Sequence, residues 1–319
     1  MKKGDDVREV VKEIEKELSE IVIGQKEIIR GIIRAILCNG HVLVEGVPGI
    51  AKTLIVKAFA EIMDCEMKRV QFTVDLLPTD ITGIMSYTPK KGFEIFKGPI
   101  FTNFLIADEI NRSPPKTQSA LLEAMQERAV TIARKTYPLP EPFFVMATEN
   151  PLEVSGVYLL PEAQVDRFLF KLLIDYPLID EEKLILDTNI TTRNFSDFKL
   201  KKILNAKRIL ELQSQVKKIF TSEAIKDYIV KIVGETRRKN HEYSKYISCG
   251  ASPRASIALH IASKAEALMN GRNYVIPHDV RTVAFPVLRH RIILNYEAEA
   301  EQIYPDKIIK YILAEVKAP

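Results

Sequence analysis

Residues 41–53 read HVLVEGVPGIAKT, and the parsing of this stretch decides the fold. The run 41–45 is short and apolar, and it stops at Gly46, Pro48 and Gly49. Such a run reads as a buried strand emptying into a loop. Helical spacing then runs from Thr53 to Met63. A strand, a glycine-containing loop and a helix opening on Lys52-Thr53 form the context that a P-loop requires. The loop Gly46, Val47, Pro48, Gly49, Ile50 and Ala51, with Leu54 at the helix start, can cradle β- and γ-phosphates on backbone N–H groups. Lys52 adds a point charge to those phosphates, and the Thr53 hydroxyl can ligate Mg²⁺. Ala51 stands where the usual pattern has Gly, so the backbone there must keep a negative φ. An ordinary Gly-Pro turn would also join a strand to a helix, but it would not explain Lys-Thr at the helix start.

A second signal lies some 55 residues downstream, where FLIA at 104–107 runs into Asp108 and Glu109. Adjacent carboxylates at the mouth of a buried strand repel one another unless a cation or hydrogen bonds balance them. A Mg²⁺ held through Asp108 would do so, leaving Glu109 to orient or deprotonate a water attacking the γ-phosphate. Two surface acids at a strand end are the plainer alternative.

Working outward, residues 67–73 alternate as a strand, 103–106 and 142–147 are apolar runs, and 168–174 is a further strand. Residues 115–128 start on proline and carry apolar spacing of three and four, which predicts a helix. Buried strands alternating with helices imply an α/β domain with a mainly parallel sheet, here of five strands. Residues 76–99, rich in Gly and Pro, read as an insert of turns or a hairpin, and 129–140 as a second hairpin. The opening residues MKKGDDVREVVKEIEKEL predict an amphipathic helix, not a signal peptide. After Pro177 the rhythm changes, and from about residue 207 only helical periodicity remains. The expected organisation is a nucleotide-binding α/β domain over 1–176, a linker over 177–206 and a smaller all-helical lid over 207–319.

The 319 residues carry a net charge of +4, divided as −5 over 1–200 and +9 over 201–319. Basic clusters at Lys199, Lys201 and Lys202, at Lys217 and Lys218, and at Arg237, Arg238 and Lys239 are too short for a nucleic-acid-binding arm, and Trp is absent. A solvated helix face or an acidic protein partner is the simpler reading. Three scattered cysteines allow no disulfide framework. No apolar run reaches the roughly 18 residues of a membrane span. The expectation is a cytoplasmic protein. No HExxH, Cys/His cluster or Ser/His/Asp arrangement occurs, and the five histidines are isolated. Only one P-loop is present, so one nucleotide site per chain is expected.

The chain resembles the MoxR-type AAA+ ATPases. The resemblance rests on GVPGIAKT at 46–53, ADEINRSPPKTQSALLEAMQE at 107–127, ATENP at 147–151, LPEAQVDRF at 160–168 and GASPRA at 250–255. It covers nearly the whole length, from IVIGQ at 21–25 onward. Ala51 is similar to what this family uses, while Glu149 stands where the family more often has Gln. The resemblance implies that Asn150 is sensor 1, touching the γ-phosphate or the attacking water. It implies that Arg167 is an arginine finger reaching the ATP of a neighbouring subunit; the residues alone would equally let Arg167 pair with Asp166. It implies that Arg254 is sensor 2, an arginine of the lid near the γ-phosphate. Ile23 and Gly24 fall where the family packs the adenine, and Arg112 is expected at a subunit interface. The inserts at 76–99 and 129–140 would face a pore or a partner. ATP and Mg²⁺ are the implied cofactors. The implied assembly is a homo-oligomeric, hexameric ring that remodels or activates a client protein, often one carrying an adhesion-type metal-binding domain. A DNA-acting AAA+ motor, resting on the basic C-terminal part, and a magnesium-chelatase-like subunit are the alternatives, and a nucleotide-gated scaffold is a third.

Overall fold

Hydrophobic spacing accounts for the first two helices. The computed structural model describes residues 7–46, 52–150, 157–188 and 195–319. Helix α1 (Val7–Ser19) buries Val7, Val11, Ile14 and Leu18, a stripe at intervals of three and four. Helix α2 (Lys26–Leu37) is apolar on most of its circumference and is correspondingly buried. Strand β1 (Val42–Gly46), helix α3 (Lys52–Ile62) and strand β2 (Met67–Gln71) follow. The first insert is a short helix α4 (Pro78–Thr82) and a hairpin of β3 (Gly83–Thr88) and β4 (Gly92–Lys97). Then come β5 (Phe104–Asp108), α5 (Pro115–Glu127), the hairpin β6 (Ala129–Ile132) and β7 (Lys135–Pro138), β8 (Phe144–Glu149), α6 (Glu162–Val165) and β9 (Phe170–Ile174).

The central sheet has the order β2-β5-β8-β1-β9, and every pairing in it is parallel. Alternation along the strands splits its side chains between two apolar cores. Val42, Val44, Ile106, Met146 and Leu172 pack with Ile55, Phe59 and Ile62 of α3 and Ile32 and Ile36 of α2. Leu43, Leu105, Ala107 and Val145 pack with Leu121, Leu122 and Met125 of α5. A sheet buried on both faces needs strands without alternation in polarity, which is how FLIA and HVLV read in the sequence.

The remaining elements are α7 (Ile179–Thr188), α8 (Ala206–Lys218), α9 (Glu223–Glu235), β10 (Ile247–Cys249), α10 (Pro253–Met269), α11 (Pro277–Leu288), β11 (Ile293–Leu294), α12 (Tyr296–Ala300) and α13 (Pro305–Glu315). Side-chain caps from Asn205, Ser222 and Ser252 satisfy backbone N–H groups at the starts of α8, α9 and α10. The lid is helical as expected, with one addition: β10 and β11 form a short antiparallel ladder, too brief to leave a period in the sequence. The lid is also not a detached body. Its buried residues, among them Leu212, Ile229, Leu259 and Val283, belong to the same apolar cluster as α1, α2 and α3.

Candidate active site

In a parallel sheet ligands collect at the carboxyl ends of the strands, where the following loops and helix N-termini converge. Here that edge carries Gly46 of β1, Gln71 of β2, Asp108 of β5 and Glu149 of β8; the register sets Gln71 beside Asp108 and Glu149 beside Glu45, so the four strand ends finish close together. A cavity of about 510 Å³ opens above it, lined by Lys52, Thr53 and Leu54, by Asp108, Glu109 and Asn150, and by Lys57, Arg69, Gln71, Thr148 and Phe195. Of the residues that the sequence assigns to phosphate chemistry, Lys52, Thr53, Leu54, Asp108, Glu109 and Asn150 therefore converge on one cavity, Gly46 meets it through the carbonyl that accepts from Lys52, and Val47, Pro48, Gly49, Ile50 and Ala51 lie outside the described residues.

Lys52 opens α3, where the unsatisfied N–H groups of the first turn favour an anion. Its Nζ donates to the carbonyls of Gly46 at 2.5 Å and Glu149 at 3.2 Å. Burial pulls its pKa below the usual lysine value, against the opposing pull of Asp108, Glu109, Glu149 and Glu45. A half-buried ammonium resting on carbonyl oxygens is suited to receive a phosphate.

The two acids illustrate how backbone conformation builds chemistry. On a continuous strand, Asp108 and Glu109 would point to opposite faces. Glu109 instead sits at φ 56°, in the left-handed region, and ends the strand. That conformation costs a non-glycine residue about 1 kcal/mol. It turns both carboxylates into the same cavity. Asp108 is buried, and its Oδ2 accepts from Arg69 Nε at 2.6 Å. Its Oδ1 accepts from Thr148 Oγ1 at 3.3 Å, and that hydroxyl in turn accepts from the Glu109 N–H at 3.0 Å. The Glu109 carboxylate accepts from Gln71 Nε2 at 2.7 Å and from Arg112 Nη1 at 3.0 Å. Asn150 is buried at the end of β8 and faces the same space. Thr53 and Asp108 together offer a hydroxyl and a carboxylate, the hard oxygen donors that Mg²⁺ prefers. The residues present therefore fit that ion.

On the opposite face of the same strand ends, Lys171 Nζ bridges Glu45 at 2.5 Å and Glu149 at 2.9 Å. Burial and the neighbouring Glu45 push Glu149 up despite Lys171. Burial also acts to raise Glu45, but the Lys171 ammonium outweighs it and holds that carboxyl below its usual value. The Glu that stands where the family more often has Gln is thus accommodated by a partly buried cation.

Four expected site residues do not line this cavity. Ile23 and Gly24 lie between α1 and α2. Gly24 has φ 77°, and a Cβ there would collide with the Glu181 carboxylate of α7. Arg167 and Arg254 line a different pocket, of about 290 Å³, with Asp166, Arg128 and Arg291. The expectation that Arg254 stands near the γ-phosphate is thus not met within its own chain. Its Nη1 lies 3.6 Å from Asp166 Oδ2, next to the finger candidate. Arg291 locks this arrangement: its Nε donates to Asp166 Oδ1 at 2.7 Å and its other nitrogens reach the Phe168 and Leu169 carbonyls. Arg167 Nε is buried there with no hydrogen-bond partner among the described residues.

Sequence reasoning missed Arg69, Gln71 and Thr148. A weak signal existed, since Arg69 and Gln71 are polar, two apart on a strand and so on one face. That β2 lies beside β5 was not readable. Among the described residues no cluster of His, Cys, Asp and Glu suits a further metal. His41 and His290 are buried and bonded to backbone groups, consistent with structural roles. Lys201 and Lys202 pair with Glu13 and Asp64, so part of the basic excess is neutralised at home.

Comparison with known proteins agrees with this geometry. Residues 41–170 match the ATPase family associated with various cellular activities (AAA), and residues 242–312 match the AAA lid domain. The chaperone MoxR1 of Mycobacterium tuberculosis is 45% identical over 95% of this chain and 81% of its own length. The uncharacterized protein YeaC of Bacillus subtilis is 42% identical over 99% of this chain and 97% of its own. A crystal structure from Cytophaga hutchinsonii, described as that of a candidate ATPase, superposes with a TM-score of 0.90 at 47% identity, covering 98% of this chain and 96% of that one. The fold, the nucleotide site and these relatives together place the chain in the MoxR family of AAA+ ATPases.

Proposed function

We propose that this ATPase works as a ring, hexameric by family likeness, in which each ATP is held by one subunit and completed by arginines of the next. The observation that carries the reading is the separation of the two clusters. Lys52, Asp108 and Glu109 share one cavity, whereas Arg167 and Arg254 share another on the same chain. Arg167 and Arg254 stand side by side without a phosphate site of their own, and the Lys52 cavity holds neither of them.

In this reading the phosphates of ATP lie along Lys52 and the N-terminus of α3. Mg²⁺, held by Thr53 and Asp108, would neutralise charge on the β- and γ-phosphate oxygens. Glu109 accepts a proton from the attacking water once it leaves Gln71 and Arg112, and Asn150 orients that water or the γ-phosphate. Arg167 and Arg254 of the adjacent subunit face the charge that develops in the transition state.

The output is work on a client protein, as the name of the mycobacterial relative suggests. The β3–β4 hairpin supports this, because Ile84, Met85, Tyr87, Phe93 and Phe96 are exposed on it. Tyr87 and Phe93 meet edge to face at its tip, 5.3 Å apart. Exposed apolar clusters of this kind mark protein contact surfaces. No helix among the described residues is long and apolar enough to cross a membrane.

A mixing experiment tests the shared site. Lys52→Ala subunits lack a working cavity but keep their arginines, and Arg167→Ala subunits have the reverse defect. Each alone should be nearly inactive, and the mixture should regain turnover. A mixture no more active than the sum of its parts would remove the reading.

A further inference from the structure

Asp108 carries the charge that Mg²⁺ is expected to meet, yet in this structure the charge is already met. Arg69 on the edge strand β2 donates Nε to Asp108 Oδ2 at 2.6 Å, in an ion pair with a carboxylate that is only 8% exposed. The same guanidinium donates Nη2 to Gln71 Oε1 at 3.3 Å, and Gln71 Nε2 holds Glu109 at 2.7 Å. Both acids of the cavity are thus tied to β2, and Arg69 begins the chain of contacts. Its side chain is half exposed, so it can leave Asp108 without disturbing a core.

We propose that Arg69 is a resident counter-charge for Asp108 that the metal must displace, which makes it a positioning residue for the metal site. The proposal rests on the reading that nucleotide and Mg²⁺ occupy the Lys52 cavity. Two consequences follow from electrostatics. Without metal, Arg69 screens Asp108 from the incoming phosphates, so metal-free nucleotide is tolerated. With metal, Arg69 would compete for the same carboxylate and lower the apparent affinity for Mg²⁺. Both effects make nucleotide binding less dependent on the metal than bare acids would.

The quantity that tests this is the ratio of nucleotide dissociation constants in EDTA and in excess MgCl2. It is measured on the full chain with a fluorescent, non-hydrolysable ATP analogue. Arg69→Met should raise that ratio about tenfold, the scale of one charge-assisted hydrogen bond. Most of the change should be weaker binding in EDTA. Arg69→Lys, which keeps the charge without the planar fork, should fall between the two. Lys57→Met removes a charge from the same cavity without touching Asp108. It should weaken both states alike and leave the ratio unchanged. An unchanged or lower ratio in Arg69→Met overturns the proposal, as does an equal change in Lys57→Met. If the wild-type chain binds the analogue in neither buffer, or Lys52→Ala binds it undiminished in both, the underlying nucleotide reading fails instead. Unfolding curves without nucleotide show that each variant is folded.

Discussion

The Lys52 cavity and the Asp166 pocket are both charged hollows, but they are built in opposite ways. The first is assembled from strand ends. Gly46, Asp108 and Glu149 each close a parallel strand of one sheet, so hydrogen-bond register alone brings these strand ends together. The second joins residues distant in the chain. Arg291 and Asp166 are separated by 125 positions, and Ser252 and Asp166 by 86. One site is a property of the sheet, the other of how the lid sits on it. Chemistry placed on the sheet should survive small movements of the lid, whereas arginines placed on the junction should respond to them.

The largest effect that sharpens this contrast is expected inside the sheet-built cavity. Glu109→Gln keeps the hydrogen bond from Arg112 but can no longer accept a proton from water. Steady-state turnover should fall on the order of 10²–10⁴-fold, the usual contribution of a general base. Nucleotide affinity should stay within about threefold, because the positive charge at Lys52 is untouched. Phosphate release and equilibrium binding measure the two quantities separately. Turnover equal to wild type would take Glu109 out of the chemistry.

That cavity was largely legible in the sequence, because its parts are short motifs, GVPGIAKT, ADE and ATEN, each at the end of an apolar run. A strand followed by a glycine-containing turn exposes what comes next, so motif and position travel together. The alternation of strands and helices and the later purely helical stretch were legible for the same reason. Arg69 and Gln71 were not, since alternation tells which face a residue occupies but not which strand lies beside it. The order β2-β5-β8-β1-β9 is a tertiary fact. The Asp166 pocket was hidden more deeply. VDRF and GASPRA supplied its members, but only the docking of α10 and of the segment after α11 shows that Arg254 meets Asp166 rather than the cavity of Lys52.

A second variant tests the junction. Asp166 takes Arg291 on Oδ1, while its Oδ2 accepts from Ser252 and lies near Arg254. Arg291 itself is only 3% exposed, so losing the carboxylate leaves a buried cation short of its partner. Asp166→Asn should cost about 3 kcal/mol of folding stability, at the lower end for a broken buried pair. Denaturant midpoints would show it. The same variant in a mixing assay should behave as Arg167→Ala does, because the arginine platform has lost its anchor. Full stability in Asp166→Asn would mean that the lid is held without help from this ion pair.

The smallest expected effect concerns pH, and it again sets the sheet against its surroundings. His41 precedes β1 and lies between that sheet and α5. The Val145 N–H donates to its Nδ1 at 3.0 Å, so the ring proton sits on Nε2, 3.3 Å from the Met125 carbonyl. Burial, and then the nearby Arg128, hold its pKa down to about 3, although the Met125 carbonyl favours the charged form. An unfolded histidine takes up a proton near pH 6.5. Above that pH neither state binds the proton, and folding gains nothing from acidification or loses nothing. Below it only the unfolded chain is protonated, so stability falls by up to about 1.4 kcal/mol per pH unit until about pH 3. Between about pH 8 and about pH 5 the loss from His41 should reach about 2 kcal/mol. His290, buried and with its pKa likewise lowered, adds to the slope in the same direction. Urea midpoints across that range, for wild type and His41→Gln, isolate the share due to His41. A variant that loses stability with acid as steeply as wild type would show that the ring is protonated, or exposed, in the folded chain. The Val145 N–H would then need another acceptor, and this end of the sheet would be looser than the carboxyl edge that carries the acids.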